Sequence, residues 1–110
     1  MSFRFLVPSE KVPVVDGRSL LFVEGKTIAL FNIASVFYAF EDSCPHQGAS
    51  MWSGKLEGQI LQCCTHGLRF DLATGYLLHS TQMKLSTYLV EVQGEQVFIV
   101  LNRGEQYAAL

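Results

Sequence analysis

Short apolar segments recur along the chain, and turn-forming residues separate them. Val, Ile, Leu, Phe and Tyr are concentrated in residues 3–7, 19–23, 27–32, 36–40, 59–63, 85–92 and 96–101. Runs of this length and composition are typical of β-strands, and no window repeats apolar residues at helical spacing. The pattern therefore predicts an all-β chain.

Dipeptides whose second residue is glycine mark the turns between these segments. They are Asp16-Gly17, Glu24-Gly25, Glu57-Gly58, Thr74-Gly75 and Gln93-Gly94. Glycine adopts the positive φ angles that tight hairpin turns require. We therefore expect antiparallel pairing, including a hairpin over residues 55–62 that turns at Glu57-Gly58.

Two stretches lack strand alternation and are predicted to be loops, residues 41–54 and 63–67. The hairpin at 55–62 joins them, and paired strands of equal length return the chain to its start. The ends of the two loops should therefore lie side by side. We predict a single domain over residues 1–110, with a small subdomain at about 42–78 inserted into a larger antiparallel β scaffold.

Composition excludes several classes of function. The chain has 110 residues, 49% of them apolar and 16% charged, with a formal net charge of -2. That charge, without any Lys/Arg cluster, argues against nucleic-acid binding. No apolar run reaches the length of a membrane span or a signal sequence. We expect a cytoplasmic monomer.

The predicted loops carry the candidate chemistry. One contains Cys44-Pro45-His46 and the other Cys63-Cys64-Thr65-His66, with 16 residues between His46 and Cys63. Thiolates and imidazoles together suit zinc, copper or an iron–sulfur cluster. Structural zinc sites usually take their cysteines from one knuckle and their histidines from another. A cysteine and a histidine from each loop suit a binuclear cluster, and a zinc-binding structural module remains the alternative.

These residues also carry a resemblance to a known family. The runs from Cys44 to Ala49 and from Cys63 to Gly67 resemble the two ligand boxes of Rieske proteins, C-x-H and C-x-x-H, and the similarity continues through Arg69-Phe70-Asp71. It implies a β-sandwich or barrel with one [2Fe–2S] cluster in a small inserted subdomain. By the same resemblance, Cys44 and Cys63 bind one iron and His46 and His66 bind the other.

Three departures from the family pattern matter. Cys64 stands where the family usually has proline, and Cys64-Thr65-His66 repeats the spacing of Cys44-Pro45-His46, so Cys64 is a rival ligand. The loop Ser80-Thr81-Gln82-Met83-Lys84 lacks the prolines that are common there. High-potential Rieske proteins resemble one another in a disulfide and two hydroxyl donors, whose places this chain fills with the residues Ala49, Thr65, Leu68 and Phe70.

The resemblance implies an electron carrier that is not itself an enzyme. The lack of disulfide and hydroxyl donors predicts a low reduction potential. This profile is similar to ferredoxin components of bacterial aromatic-ring dioxygenase systems. Their donor is a flavin-dependent NAD(P)H reductase and their acceptor a terminal oxygenase. The alternative is the small Rieske-like subunit of an assimilatory nitrite reductase.

Several neighbouring residues have both a structural and a functional interpretation. Glu41 and Asp42 either steer a basic partner or are simply solvated, and Trp52 either packs under its loop or serves as a docking aromatic. His79 is interpreted as an exposed side chain outside the ligand set. Gly48 and Gly67 are interpreted as bringing N–H groups to the cluster sulfides or as making ordinary turns, and both interpretations can hold.

Overall fold

The computed structural model describes residues 2–44, 48–63, 67–80 and 82–102. In these ranges the regular elements are β-strands, apart from one short 3-10 helix at Ser9–Lys11. Their bounds are β1 Ser2–Leu6, β2 Arg18–Val23, β3 Lys26–Ile33, β4 Val36–Glu41, β5 Lys55–Glu57, β6 Ile60–Gln62, β7 Arg69–Asp71, β8 Thr87–Gln93 and β9 Gln96–Asn102. None of the described helical segments has the length and apolarity that crossing a membrane demands.

The strands form two antiparallel sheets. The larger has the order β1-β9-β8-β4-β3-β2, and the smaller has the order β5-β6-β7. β4 lies beside β8 although residues 42–86 separate them along the chain. All three strands of the small sheet belong to that one excursion, so the larger sheet carries the small sheet between two of its neighbouring strands.

β3 is buried on both faces because the chain packs a core against each. Ile28 and Leu30 point into a core formed within the larger sheet, which we call the scaffold core. The alternate residues Ala29 and Phe31 point the other way, since successive side chains of a strand face opposite sides. They join a second core, which also contains Leu61 and other residues of the excursion; we call it the inter-sheet core. Each fully buried large side chain there contributes about 1.5–3 kcal/mol.

The all-β antiparallel prediction is confirmed, and most strand limits agree within two residues. β7 was not predicted, because three residues are too few to display alternation. The turn between β3 and β4 also lacked a sequence signal, since it consists of Ala34 and Ser35, both at positive φ. The division into a scaffold and a subdomain at 42–78 stays a prediction, which the separate small sheet supports.

Candidate metal centre

Two cysteines of the predicted ligand set lie in the inter-sheet core. Cys44 follows β4 and Cys63 follows β6, and their exposed fractions are 1% and 0%. Both belong to one contiguous cluster of buried side chains with Met51 and Phe70. The fold therefore buries one cysteine from each predicted loop in the same core.

The two cysteines begin loops with the same backbone hydrogen bonds. The Cys44 N–H donates to the Ala49 carbonyl over 2.7 Å, and the Gly48 N–H donates back to the Cys44 carbonyl over 2.7 Å. In the second loop, the Cys63 N–H donates to the Leu68 carbonyl over 2.7 Å, and the Gly67 N–H donates to the Cys63 carbonyl over 2.9 Å. Each cysteine is thus the first residue of a six-residue turn of identical closure.

Glycine is favoured in both turns for the same reason. Gly48 has a φ of +75° and Gly67 a φ of +72°, which is the left-handed region that side chains disfavour. Their N–H groups donate to the cysteine carbonyls. Of the two interpretations of these glycines, the structure therefore favours turn geometry.

The small sheet holds the two loops together. In the β5–β6 hairpin Lys55 pairs with Gln62, which puts Gly54, the end of the first loop, beside the residue before Cys63. A Cβ atom on Gly54 would collide with the Gln62 carbonyl, so only glycine permits this approach. The hairpin thereby sets the spacing between the two cysteine-bearing segments.

The remaining candidate ligands, His46 and His66, and the rival Cys64 lie outside the described residues. Within the described part of the chain, no group of three or more His, Cys, Asp and Glu side chains is placed to hold a metal ion. Among the described residues, the two cysteines are therefore the candidate ligands that bear on the fit to an iron–sulfur cluster. Two buried thiols at equivalent positions of matched turns suit a group that thiolates from both loops must reach, and the residues fit.

Glu41 and Asp42, candidates for docking, are both engaged inside the molecule. Glu41 Oε1 accepts from the Tyr88 hydroxyl at 3.4 Å and lies 3.9 Å from Lys26 Nζ. Burial, the Glu41 charge and this hydrogen bond raise the pKa of Tyr88 to about 12. Asp42 accepts backbone N–H groups from Met51 and Trp52. These contacts favour a structural role for both carboxylates.

Arg18 is a positioning residue that sequence reasoning missed. From β2 its Nη1 donates to the Trp52 carbonyl at 2.6 Å and the Gly54 carbonyl at 2.9 Å. The guanidinium lies 4.6 Å from the centre of the Phe31 ring, and burial lowers its pKa. Nothing in the local pattern of β2 distinguishes this arginine, because its acceptors lie more than thirty residues away.

Trp52 is packed and His79 is exposed, as their structural interpretations predict. Trp52 packs against the inter-sheet core, and its indole N–H is buried with no acceptor among the described residues. His79 is exposed and has a φ of +64° in the segment that follows Gly75. Lys84, in the proline-poor loop, holds its ammonium 5.1 Å from the centre of the Tyr76 ring.

Leu68 and Phe70, which stand at the places of the hydroxyl donors, both have apolar surroundings in the structure. Phe70 is fully buried in the inter-sheet core. Leu68 packs against that core, and its carbonyl is the acceptor for the Cys63 N–H. Neither side chain can donate a hydrogen bond to a group held by the cysteines.

Comparison with known proteins agrees with this geometry. A family model described as the Rieske [2Fe–2S] domain matches residues 4–89. The ferredoxin subunit of a 3-phenylpropionate/cinnamic acid dioxygenase from Shigella flexneri is 39% identical over 103 residues, covering 92% of this chain and 95% of that protein. The ferredoxin component of a naphthalene 1,2-dioxygenase system from Pseudomonas aeruginosa is 38% identical over 81 residues, covering 73% and 78%.

Solved structures of related proteins have the same fold. A chain in the complex of reduced oxygenase and oxidised ferredoxin of carbazole 1,9a-dioxygenase aligns with a TM-score of 0.71 and 28% identity, covering 89% of this chain and 91% of that one. A chain described as the small subunit of an NADPH nitrite reductase aligns with a TM-score of 0.69 and 25% identity, covering 90% and 97%.

Proposed function

The chain belongs to the Rieske [2Fe–2S] family, and on that premise we propose that it is the electron-transfer ferredoxin of an aromatic-ring-hydroxylating oxygenase system. The family's cofactor is a [2Fe–2S] cluster, which supplies a site that accepts and releases one electron. This sets aside the zinc-binding module. The observation that carries the proposal is the pair of matched turns that bury Cys44 and Cys63 in one core.

The proposed ligands are Cys44, His46, Cys63 and His66. Support for Cys63 over Cys64 comes from the turns, because Cys63 has the same hydrogen-bonded position in its turn as Cys44 has in the first. Burial of both cysteines keeps water from the thiolates, while the histidines supply neutral imidazole donors.

Serine replacements test which cysteine is the ligand. We expect Cys63→Ser to abolish the visible absorbance and the electron paramagnetic resonance (EPR) signal of the reduced protein. Cys64→Ser should preserve both and serves as the matched control. Retention of the cluster in Cys63→Ser together with its loss in Cys64→Ser would assign the iron to Cys64.

We further propose a potential at the low end of the Rieske range, which extends from about −150 to +300 mV. Leu68 and Phe70 provide no hydrogen bond that would stabilise the reduced, more negative cluster. A potentiometric titration followed by EPR measures this directly. A midpoint in the upper half of the range would contradict the proposal.

For partners we propose a flavin-dependent NAD(P)H reductase as donor and a terminal oxygenase as acceptor. The ferredoxin relatives at 38–39% identity support this assignment. Because the histidines of a Rieske site bind the outer iron, His46 and His66 would form the edge through which electrons pass. We propose that the protein is a cytoplasmic monomer, which suits a carrier that docks weakly with two partners in turn.

A reconstitution assay tests the partner assignment. Purified protein is added to the reductase and oxygenase components of the 3-phenylpropionate dioxygenase system, from which that system's own ferredoxin has been omitted. We expect NADH-dependent oxygen consumption to be restored when substrate is present. Protein treated to remove iron is the control, and no consumption at any protein concentration would count against this assignment.

The second candidate is the small subunit of an assimilatory nitrite reductase. It is favoured by the structural similarity to the nitrite reductase subunit, which covers 97% of that chain. Affinity purification of the protein from its native host distinguishes the two. Copurification of a large sirohaem enzyme would support the second candidate, whereas copurification of an oxygenase with non-haem iron would support the first.

A further inference from the structure

The two cysteine turns have the same hydrogen bonds within the turn. The segments that enter and leave each turn, however, are held together differently. Beyond the second turn, β6 and β7 continue the closure through backbone pairing, with Gln62 opposite Arg69 and Leu61 opposite Phe70. Residues 50–54, which leave the first turn, are not part of a strand. The first turn therefore needs another means of fixing the outgoing chain to the incoming chain.

Asp42 provides that closure. Its Oδ1 accepts the N–H groups of Met51 and Trp52, both at 2.8 Å, and its Oδ2 accepts the Ser50 hydroxyl at 2.5 Å. Three donors from consecutive residues thus converge on one carboxylate. Charge-assisted hydrogen bonds of this kind are about twice as strong as neutral ones.

Asp42 is itself fixed to the scaffold. It follows β4 directly, and its N–H donates to the carbonyl of Thr27, a residue of β3, at 2.8 Å. The segment that it holds includes Met51, whose side chain is fully buried in the inter-sheet core with both cysteines. A carboxylate anchored on the large sheet therefore determines where the chain leaves the Cys44 turn.

We propose that Asp42 is a positioning residue for the first ligand loop, replacing with one side chain the strand pairing that closes the second. This inference rests on the proposed ligands Cys44 and His46, because it assigns Asp42 the task of holding their loop closed. It gives Asp42 no contact with the cluster and no part in electron transfer.

Asparagine and alanine at this position separate the contributions. In Asp42→Asn, Oδ1 still accepts both N–H groups, and Nδ2 can donate to the Ser50 oxygen, which then acts as acceptor. In Asp42→Ala all three hydrogen bonds are lost. We expect Asp42→Ala to lose its cluster about tenfold faster than the wild type. Removing groups that orient metal ligands typically lowers metal affinity or activity by about 10–100-fold, and tenfold is the lower end of that range. Asp42→Asn should stay within about twofold.

Asp71 is the matched control. Its carboxylate accepts two hydrogen bonds where that of Asp42 accepts three, one from the backbone N–H of Ala73 at 2.9 Å and one from the side chain of Gln59, Nε2, at 2.9 Å. It pairs with Ile60, at the end of the small sheet away from Cys63. Asp71→Ala therefore removes comparable contacts without opening a ligand loop, and its cluster should decay at the wild-type rate.

The experiment combines decay of visible absorbance in air with amide hydrogen exchange of the holoprotein. In the wild type we expect the Met51 and Trp52 amides to be protected, and in Asp42→Ala to exchange at least about tenfold faster. If Asp42→Ala does not fold, Ser50→Ala, which removes only the Oδ2 contact, must show an intermediate acceleration of both measurements.

The outcomes separate this inference from the proposed function. Equal cluster lifetimes and equal exchange in wild type, Asp42→Ala and Ser50→Ala would overturn the inference and leave the Rieske ferredoxin intact. Failure of Asp42→Asn to restore the lifetime would also overturn it. A wild-type protein that never acquires a [2Fe–2S] absorbance would overturn the proposed function instead.

Discussion

Tyr88 of β8 lies near the end of β4, where Glu41 directly precedes Asp42. Its hydroxyl donates to Glu41, and its half-buried ring packs against the scaffold core. Desolvation of the phenol, with the nearby carboxylate, favours the neutral form and raises the pKa of Tyr88 to about 12. In the unfolded chain the phenol ionises near its ordinary value of about 10.

This difference predicts a loss of stability in alkali. Between pH 10 and 12 the unfolded chain releases the Tyr88 proton while the folded chain retains it, so the free energy of unfolding falls as pH rises. Below this window the contribution is fully present. We expect urea denaturation to show a shallower pH dependence there in Tyr88→Phe than in the wild type. Tyr38→Phe is the control, and an identical decline in Tyr88→Phe would contradict the assignment.

At the level of single residues, the sequence marks candidate ligands more readily than it marks the residues that support their loops. Cys44 and Cys63 stand out because their spacing to histidines is unusual and chemically meaningful. Asp42 and Arg18 show no such sign, since the first could be any loop carboxylate and the second any strand arginine. Their roles depend on acceptors and donors that only the folded chain brings within reach.

The turn between β3 and β4 is the element that most strongly departs from sequence rules. Ile33 pairs with Val36, which leaves Ala34 and Ser35 as a two-residue turn with φ angles of 52° and 70°. Such turns normally use Asn-Gly, because side chains disfavour the left-handed region. The flanking strands impose the turn, since burial of β3 on both faces outweighs the local cost.

Ser35→Gly should therefore stabilise the protein. Relief of left-handed strain is worth about 1–2 kcal/mol, and the extra freedom of glycine in the unfolded chain offsets about 0.5–1 kcal/mol of it. We expect an increase in Tm of a few degrees, measured by thermal denaturation. Ser86→Gly, at an exposed position where φ is not positive, should lower Tm. Equal shifts in both variants would rule out the strain.

Arg18 links β2 of the large sheet to the segment that precedes β5, and its replacement should weaken that link. Arg18→Met keeps an apolar stem near Phe31 but leaves the Trp52 and Gly54 carbonyls without their donor. A hydrogen bond from a charged donor is worth about 1.5–3 kcal/mol, so we expect a loss of that order in the free energy of unfolding.

Arg4→Met is the control for this change. Arg4 also lies over an aromatic ring, Phe98, at 4.5 Å, but its partner is the exposed Glu91. Exposed pairs contribute about 0–1 kcal/mol, so urea denaturation should show the smaller loss in Arg4→Met. The reverse ranking would refute the role of Arg18 as a link between the large sheet and the segment before β5.

Across the whole molecule, charge is excluded from the segments around the proposed cluster. Residues 43–54, 58–68 and 72–83 contain no Asp, Glu, Lys or Arg. Between the first two segments lie Lys55 and Glu57, and Glu57 pairs with Arg69 across the small sheet at 3.2 Å. These three segments therefore have no ionic side chains, and the exposed Lys84 directly follows the third of them.

The lack of charge in these segments predicts that docking of the proposed partners over them, and hence electron transfer, depends little on salt. Electrostatically steered association slows by an order of magnitude or more as screening increases. Here we expect kcat/KM for the ferredoxin in the reductase assay to change by less than about twofold between roughly 0.02 and 0.5 M NaCl. Gln82→Lys, which adds a second exposed cation to the loop 80–84 besides Lys84, should introduce a salt dependence. A steep decline already present in the wild type would show that charges elsewhere on the protein guide docking.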